Sequence, residues 1–197
     1  MKKEGLLIAI TGPQGSGKSE VLNFLSRLGF EVYSADEISK KIFNENFQDI
    51  YNMFKSYFDG RQNYDIQKLR REIALIISKD KFMKKKLEDL IWPKIKEYFK
   101  SILRRDKIVF VEIPLLFEAN MEDDFDIIWI VDAPFDVRLN RLVKSREYSE
   151  EEAKVRMNMQ WPPSKPIEKC KVPIYYIDGS QDIEDVKKRV LDLLNSL

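Results

Sequence analysis

The feature that most constrains this chain is a glycine-rich segment near its start, Gly12-Pro13-Gln14-Gly15-Ser16-Gly17-Lys18-Ser19. The segment matches the phosphate-loop (Walker A) pattern G-x-x-x-x-G-K-[ST] at every position. An apolar run at 6–10 precedes it and an amphipathic stretch follows from Ser19, so a strand, a tight loop and a helix are predicted in that order. This context favours a nucleotide-binding loop over an ordinary glycine turn before a helix.

The chemistry of the segment suits phosphate groups. Glycines allow successive backbone N–H groups to point inward, and the dipole of the following helix adds partial positive charge where an anion would lie. Lys18 is predicted to neutralise the outer phosphates, and the Ser19 hydroxyl is predicted to ligate Mg²⁺. We therefore expect the whole segment 12–19 to bind the nucleotide.

Composition excludes several classes of function. The 197 residues contain 34 Lys and Arg against 33 Asp and Glu, so the net charge of +1 provides no general field for nucleic acid or membrane surfaces. The chain has no histidine, which excludes a histidine triad, a histidine zinc site and a histidine general base. Acid and base chemistry must then depend on carboxylates or lysine.

The expected location and assembly follow from the same inventory. Cys170 is the single cysteine, so an internal disulfide is impossible and a reducing cytoplasmic compartment is expected. The N-terminus lacks a signal-peptide pattern, and no apolar run approaches the length of a membrane span. The chain is therefore predicted to be a soluble monomer or weak homo-oligomer.

Apolar runs alternating with helical patterns predict an α/β fold of the P-loop NTPase type, with a parallel sheet flanked by helices. Strands are predicted at 6–10, 30–34, 108–113, 127–131 and 172–177. We expect one kinase unit with a helical substrate-binding insertion and a small helical lid. Its predicted parts are a core at about 1–35, 105–143 and 172–197, the insertion at about 36–104, and the lid at about 144–171.

Two acidic residues follow predicted strands. Asp36 is expected at the carboxyl end of the second strand, where it would face the crevice that contains the phosphate loop; the alternative is the N-cap of the next helix, and both roles can coexist. Glu112 ends the third strand, and two interpretations stay open: a Mg²⁺ shell ligand, or an exposed partner in a salt bridge at a sheet edge.

The helical insertion and the last helix give further expectations. Asp65 is predicted to cap one insertion helix, and Pro93 is predicted to kink or break the next, because proline removes a helical hydrogen bond and clashes with the preceding turn. The final helix is expected at 181–197 with Ile183 on its buried face.

Residues 135–160 carry a basic series on two predicted helices. Ser149 and Glu152 have the spacing of a capping box, which places a helix start at Ser149. Arg141 and Arg146 are five residues apart, and a turn between them could bring both to a phosphate. The series comprises Arg138, Arg141, Lys144, Arg146, Lys154 and Arg156. A phosphate loop, a carboxylate, a helical insertion and an arginine-rich lid together favour a small-molecule kinase over a GTPase or a motor.

The chain resembles the dephospho-CoA kinase family over nearly its whole length. The resemblance depends on the phosphate loop, on Tyr33-Ser34-Ala35-Asp36, on Pro114-Leu115-Leu116-Phe117-Glu118, and on Arg141 to Gln160 in the same order and spacing. The run from Pro114 to Glu118 is the most discriminating part. Leu69-Arg70-Arg71 also matches the insertion of the family.

The resemblance implies ATP- and Mg²⁺-dependent phosphorylation of the 3′-hydroxyl of dephospho-CoA, the last step of coenzyme A synthesis. It implies Asp36 as the base or orienting carboxylate, with Lys18 and Ser19 on the phosphates and Mg²⁺. The lid would contribute a catalytic arginine, and other residues would line the substrate site. The implied lid residues are Arg141, Arg146 and Arg156, and the implied substrate residues are Asp36, Arg71, Trp92, Leu115, Leu116, Phe117 and Glu118.

Two positions depart from the family pattern. Trp92 stands where the family usually has histidine before proline, and the stretch 176–180 lacks the asparagine that the family tends to carry near the adenine. Two alternatives therefore stay open: a kinase of the same fold with a nucleotide or sugar acceptor, and a nucleotide-binding module without catalysis.

Overall fold

The structure is a computed structural model that describes residues 5–58, 65–102, 107–117, 119–146, 149–158 and 170–197. Five parallel strands form one sheet in the order β2-β3-β1-β4-β5, which confirms the predicted parallel α/β architecture. Each strand lies within a few residues of its expected position. The strands are β1 (Leu6–Thr11), β2 (Glu31–Ser34), β3 (Ile108–Glu112), β4 (Ile127–Asp132) and β5 (Ile174–Asp178).

Crossover connections join the parallel strands, and they contain α-helices except between β3 and β4, where the described residues form a 3₁₀ turn. Short 3₁₀ turns occur at Lys55–Tyr57 and Glu122–Asp124. The helices of the described part are α1 (Lys18–Arg27), α2 (Ala35–Glu45), α3 (Phe47–Phe54), α4 (Ile66–Lys79), α5 (Lys81–Ile102), α6 (Phe135–Arg146), α7 (Glu150–Asn158) and α8 (Ile183–Asn195). Among these helices, none is long and apolar enough to cross a bilayer.

The central strands are buried because their sequences are nearly continuous apolar runs. Ile8, Phe110 and Trp129 are 0 % exposed and belong to one core cluster with residues of α1 and α8. Burial of a large apolar side chain contributes about 1.5 to 3 kcal/mol. This core fixes the carboxyl ends of β1, β3 and β4, from which the loops of the candidate site emerge.

The chain divides into two compact units. One comprises Met1–Ala35 and Leu103–Leu197 and contains the whole sheet. The other, Asp36–Ile102, is helical, with α4 and α5 as its longest elements. The predicted turn at 59–63 lies outside the described residues.

In the helical unit, the structure differs from two expectations, one for Pro93 and one for Asp36. The predicted break at Pro93 is wrong, because helix α5 continues through this residue, whereas the kink predicted as its alternative stays a prediction. Pro93 is exposed, while Ile91, Ile95 and Phe99 are buried at four-residue spacing around it, so packing of this stripe maintains the helix. Helix α2 begins at Ala35, two residues earlier than an N-cap at Asp36 would require, so Asp36 lies in its first turn and is not its N-cap.

The start of α5 is fixed by a side chain. Asp80 Oδ1 accepts hydrogen bonds from the backbone N–H groups of Phe82 and Met83, both at 3.0 Å, and its Oδ2 accepts from the Tyr57 hydroxyl at 2.8 Å. These bonds stabilise the charged carboxylate and lower the pKa of Asp80. Asp65 occupies the N-cap position of α4 as predicted, without a side-chain hydrogen bond to the helix.

Candidate active site

The phosphate loop connects β1 to α1, as its sequence predicted. Gly17 is the N-cap of α1 in a left-handed conformation, with φ of 102°, which glycine adopts without the strain that a side chain would introduce. The cap residue has no side chain, so the first-turn N–H groups of α1 receive no side-chain cap. A helix N-terminus built in this way is suited to an anion.

Lys18 lies inside the loop. Its side chain is 8 % exposed, and Nζ donates hydrogen bonds to the carbonyl oxygens of Gly12 at 2.8 Å and Pro13 at 2.9 Å. The loop therefore holds a positive charge against its own backbone, at the position where the sequence predicted neutralisation of phosphates.

Ser16 supplies a test of whether the loop fits a phosphate. Its Oγ is fully buried and has no hydrogen-bond partner in the described part of the chain. A buried polar atom without a partner is costly and uncommon in folded proteins. Its place within the phosphate pattern agrees with a loop that a ligand completes.

Glu112 lies at the carboxyl end of β3, in register with Ile10 of β1 and with Ser34 of β2. Because β3 is internal to the sheet, Glu112 does not lie on an edge strand. Its half-buried carboxylate lines the same cleft as Ser19. Of the two interpretations of Glu112, this position favours a role beside the phosphates.

No group of three acidic, cysteine or histidine side chains that could hold a metal ion occurs among the described residues. Magnesium does not need such a cage, because it keeps several waters and binds through one or two protein oxygens together with substrate phosphates. Ser19 and Glu112 both line the cleft and carry oxygens that fit that pattern.

A cleft of about 800 Å³ extends from the phosphate loop. One wall comes from α6, and another comes from the β5–α8 connection together with the start of α8. Beyond the phosphate loop itself, its lining residues include Glu20, Glu112, Asn140, Arg141, Leu142, Lys144, Gly179, Gln181, Ile183 and Val186.

Arg141 joins two walls of this cleft. Its guanidinium donates hydrogen bonds to the Gly15 carbonyl at 3.3 Å and to the Gly179 carbonyl at 2.8 Å. The sequence predicted Arg141 as a lid residue on phosphate; the structure bonds it to the backbone of the phosphate loop. A guanidinium suits this task because its several N–H groups are fixed in one plane.

Gly179 packs directly against the phosphate loop. A Cβ atom at this position would lie 1.9 Å from the carbonyl oxygen of Ser16, so the close approach requires glycine. The Gly179 N–H donates to the Asp132 carbonyl at 2.7 Å, which fixes the connection to the end of β4. The loop after β5 is thus part of the candidate site.

Several cleft residues are absent from the site predicted from the sequence, among them Gly179, Gln181 and Ile183. Gln181 lines the cleft, and its Nε2 donates to Asp178 Oδ2 at 2.7 Å. Ile183 was expected to be buried but is 43 % exposed, because it begins α8 at the cleft rather than under the sheet. The sequence offered one signal for Gln181, namely an amide side chain two residues after the glycine that follows the last strand.

The remaining predicted site residues divide by location. Asp36 and Arg71 are exposed and Trp92 is half-buried, all three in the helical unit. Leu115 is 47 % exposed, whereas Leu116 and Phe117 are 0 % and 5 % exposed, so Leu115 offers the accessible surface of this run. Glu118, and the side chains of Arg146 and Arg156, lie outside the described residues.

The predicted capping box is confirmed. Ser149 N–H donates to Glu152 Oε2 at 3.0 Å, and Glu152 N–H donates to Ser149 Oγ at 3.3 Å, immediately before α7. Leu142 of α6 packs with Ala153 and Met157 of α7 in a small cluster of its own. The Leu142 cluster thus joins α6, most of which falls in the predicted core, to α7 of the predicted lid.

Comparisons with known proteins agree on one family. A family model described as dephospho-CoA kinase matches residues 6–185. A dephospho-CoA kinase of Chlorobaculum tepidum is 34 % identical over 201 residues, covering 98 % of this chain and 95 % of that protein. One of Fusobacterium nucleatum is 30 % identical over 190 residues, covering 94 % and 95 % respectively. The solved dephospho-CoA kinase of Campylobacter jejuni is 25 % identical with a TM-score of 0.69, covering 97 % of this chain and 96 % of that chain.

Proposed function

The chain belongs to the dephospho-CoA kinase family, and from this premise we propose that it transfers the γ-phosphoryl group of ATP to the 3′-hydroxyl of dephospho-CoA. The products are coenzyme A and ADP, which makes this the last step of coenzyme A synthesis. The observation that carries the proposal is the family match over residues 6–185, a range that includes the buried phosphate loop and its lysine.

In the proposed reaction, residues 12–19 hold the phosphates of ATP. The inward N–H groups and the start of α1 attract the anion, and Lys18 exchanges its bonds to the Gly12 and Pro13 carbonyls for phosphate oxygens. Ser19 and Glu112 would hold Mg²⁺, whose charge offsets that of the phosphates.

We assign Asp36 the role of the base. Its carboxylate is exposed in the first turn of α2, two residues after β2 ends at Ser34. The carboxylate would accept the proton of the 3′-hydroxyl while the hydroxyl oxygen bonds to the γ-phosphorus. The bond from that phosphorus to the β,γ-bridging oxygen breaks, and ADP leaves.

Other residues would bind and neutralise the reactants. Arg71, Trp92 and the run Leu115 to Glu118 are assigned to the acceptor, and Arg146 and Arg156 to the phosphates. Arg141 is assigned a positioning role, because its two bonds to the backbone hold Gly15 against the β5–α8 connection. We further propose that the three parts predicted from the sequence act as nucleotide core, acceptor-binding insertion and lid.

The proposed setting is the cytoplasm, with a small-molecule substrate and neither nucleic acid nor membrane as a partner. The net charge of +1 and the single cysteine support this setting. We also propose a monomer or weak homo-oligomer.

The test is turnover with ATP, Mg²⁺ and dephospho-CoA. Turnover is monitored by a coupled assay of ADP release and by chromatographic detection of coenzyme A. AMP, shikimate and gluconate serve as alternative acceptors. We expect phosphorylation of dephospho-CoA, and phosphorylation of another acceptor in its place would contradict the assignment.

The role of Asp36 is tested separately. Asp36→Asn is expected to lower turnover by about a hundredfold or more with nearly unchanged ATP binding, because the amide cannot accept the hydroxyl proton. Asp49→Asn, in the first turn of α3, is the matched control and is expected to retain turnover. Full activity in Asp36→Asn would refute the base assignment.

A further inference from the structure

The β5–α8 wall of the cleft has a different chemistry from the phosphate loop. Ile183 is 43 % exposed there, and Val186 lines the same wall. Exposed apolar surface beside a phosphate site is what a nucleotide base requires, because the flat ring system gains by leaving water. The inference that follows rests on the proposed function.

Charge supports the same location for the base. Helix α8 begins at an Asp182 N-cap and carries Glu184 and Asp185 in its first turn. None of these carboxylates lines the cleft, and Glu184 pairs with Lys187 at 2.7 Å, but Asp178 bonds the lining residue Gln181, so a phosphate at this end would meet its negative charge instead of Lys18. An uncharged base carries no such penalty.

Within this wall the orientation of one amide is fixed. Asp178 accepts hydrogen bonds from Ser180 N at 2.9 Å, from Ser180 Oγ at 2.6 Å and from Gln181 Nε2 at 2.7 Å. These bonds, those from Ser180 first, lower the pKa of Asp178, so the group is an ionised carboxylate at neutral pH. An ionised carboxylate accepts and cannot donate, so Gln181 must turn its NH₂ group to Asp178.

The consequence is that Gln181 presents a defined acceptor. Its Oε1 has no partner in the described part of the chain, and the residue lines the cleft. We propose that Gln181 reads the nucleotide base, with Oε1 accepting a hydrogen bond from the 6-amino group of adenine, and that Asp178 is the positioning residue that prevents the amide from turning. A 6-oxo purine would place its own carbonyl oxygen, also an acceptor, against Oε1, and no hydrogen bond could form between them.

The experiment measures binding by calorimetry on the full chain with three nucleotides. ATP carries the 6-amino group, purine riboside triphosphate lacks that group alone, and inosine triphosphate has an oxygen there. The wild-type chain is expected to bind ATP about tenfold more tightly than purine riboside triphosphate, the difference of one hydrogen bond. Equal binding of these two nucleotides would overturn the proposal without any variant.

Gln181→Met tests the residue, because methionine keeps the length of the side chain and removes its polar atoms. We expect ATP affinity to fall about tenfold, to that of purine riboside triphosphate, whose own affinity stays unchanged. Gln67→Met, at an exposed position of α4, is the matched control and is expected to change neither value. A preference for ATP that persists in Gln181→Met would overturn the proposal.

Asp178→Asn tests the positioning role. Asparagine can retain the bonds from Ser180 yet can also donate, so the Gln181 amide becomes free to turn. The preference for ATP over inosine triphosphate is expected to fall to about threefold or less with little loss of ATP affinity, and an unchanged preference would refute the role of Asp178. If the wild-type chain bound none of the three nucleotides, the proposed kinase function would fail, which is a result distinct from loss of discrimination.

Discussion

The phosphate loop and the helical unit position their polar groups by different means. In the loop, Lys18 is 8 % exposed, and backbone carbonyls hold its amine. In the helical unit, Asp36 and Arg71 are exposed. The guanidinium of Arg70 donates a solvent-exposed hydrogen bond of 2.7 Å to the Lys40 carbonyl. A site held by buried backbone contacts is ordered before its ligand binds, whereas exposed side chains must be ordered by the ligand.

The comparison predicts unequal sensitivity to mutation. Changes at the phosphate loop and at the residues packed on it should alter nucleotide binding and turnover strongly, since a small backbone shift moves several N–H groups together. Changes to the caps of the helical unit should alter local stability and leave nucleotide binding intact. Four substitutions test this difference.

The largest effect is expected for Lys18→Met. The variant loses the charge opposite the phosphates and both bonds to the loop carbonyls, so turnover is expected to fall by about a thousandfold in the coupled ADP assay. Lys85→Met is the control, because Lys85 forms an exposed pair with Asp89 on α5. Turnover within about tenfold of wild type for Lys18→Met would remove the reason to treat the loop as the dominant electrostatic element.

Gly179→Ala is expected to have the next largest effect. Its Cβ would lie 1.9 Å from the Ser16 carbonyl oxygen, so the phosphate loop must shift, and turnover is expected to fall by about a hundredfold. Gly29→Ala is the matched control: φ is +89° there, and no atom lies within 4 Å of the added Cβ. The control should cost about 1 kcal/mol in unfolding free energy and preserve nucleotide affinity. Equal nucleotide affinity in both variants would contradict the close packing of Gly179.

Arg141→Lys separates charge from geometry. Lysine keeps the positive charge but cannot bridge the Gly15 and Gly179 carbonyls with a planar group, so ATP affinity is expected to fall about tenfold by calorimetry. Arg27→Lys in the last turn of α1 should bind ATP as the wild type does. If Arg141→Lys kept full ATP affinity while Arg141→Met lost it, the charge of Arg141 alone would account for its contribution to ATP binding.

The smallest effect is expected for Asp80→Ala in the helical unit. Loss of the cap at α5 should lower the melting temperature slightly and leave ATP affinity unchanged. Because the folded pKa of Asp80 is lowered from 3.8, its stabilisation is complete above pH 3.8 and is lost as the pH falls through the folded value. The difference in melting temperature between the two chains should therefore shrink as the pH is lowered below 3.8. A difference that is constant with pH would mean that the charge of Asp80 does not matter.

Local patterns predicted local structure well. The phosphate loop, the parallel strands and the capping box of Ser149 and Glu152 were all evident in short stretches of sequence, because each depends on neighbouring residues. The structure contains all three, as expected where strong hydrophobic periodicity or specific turn residues mark a secondary-structure element.

The wrong predictions fell where packing overrides a local rule. Of the kink or break expected at Pro93, the break is wrong, because the buried stripe that includes Ile91 and Ile95 keeps α5 continuous, whereas the kink stays a prediction. Ile183 was expected on the buried face of α8, but its position at the helix start exposes it to the cleft. Neither result can be read from residue type and spacing alone.

The sequence by itself determined the phosphate site, since eight consecutive residues, 12–19, carry the loop, the lysine and the helix start. Tertiary structure decided what surrounds that site. Arg141 reaches Gly15 across 126 positions of the chain and Gly179 across 38, and Gly179 packs on Ser16 because β5 pairs with β4, which pairs with β1. Strand pairing over such separations depends on the whole core, so the wall that carries Gln181 became evident in the fold and not in the pattern.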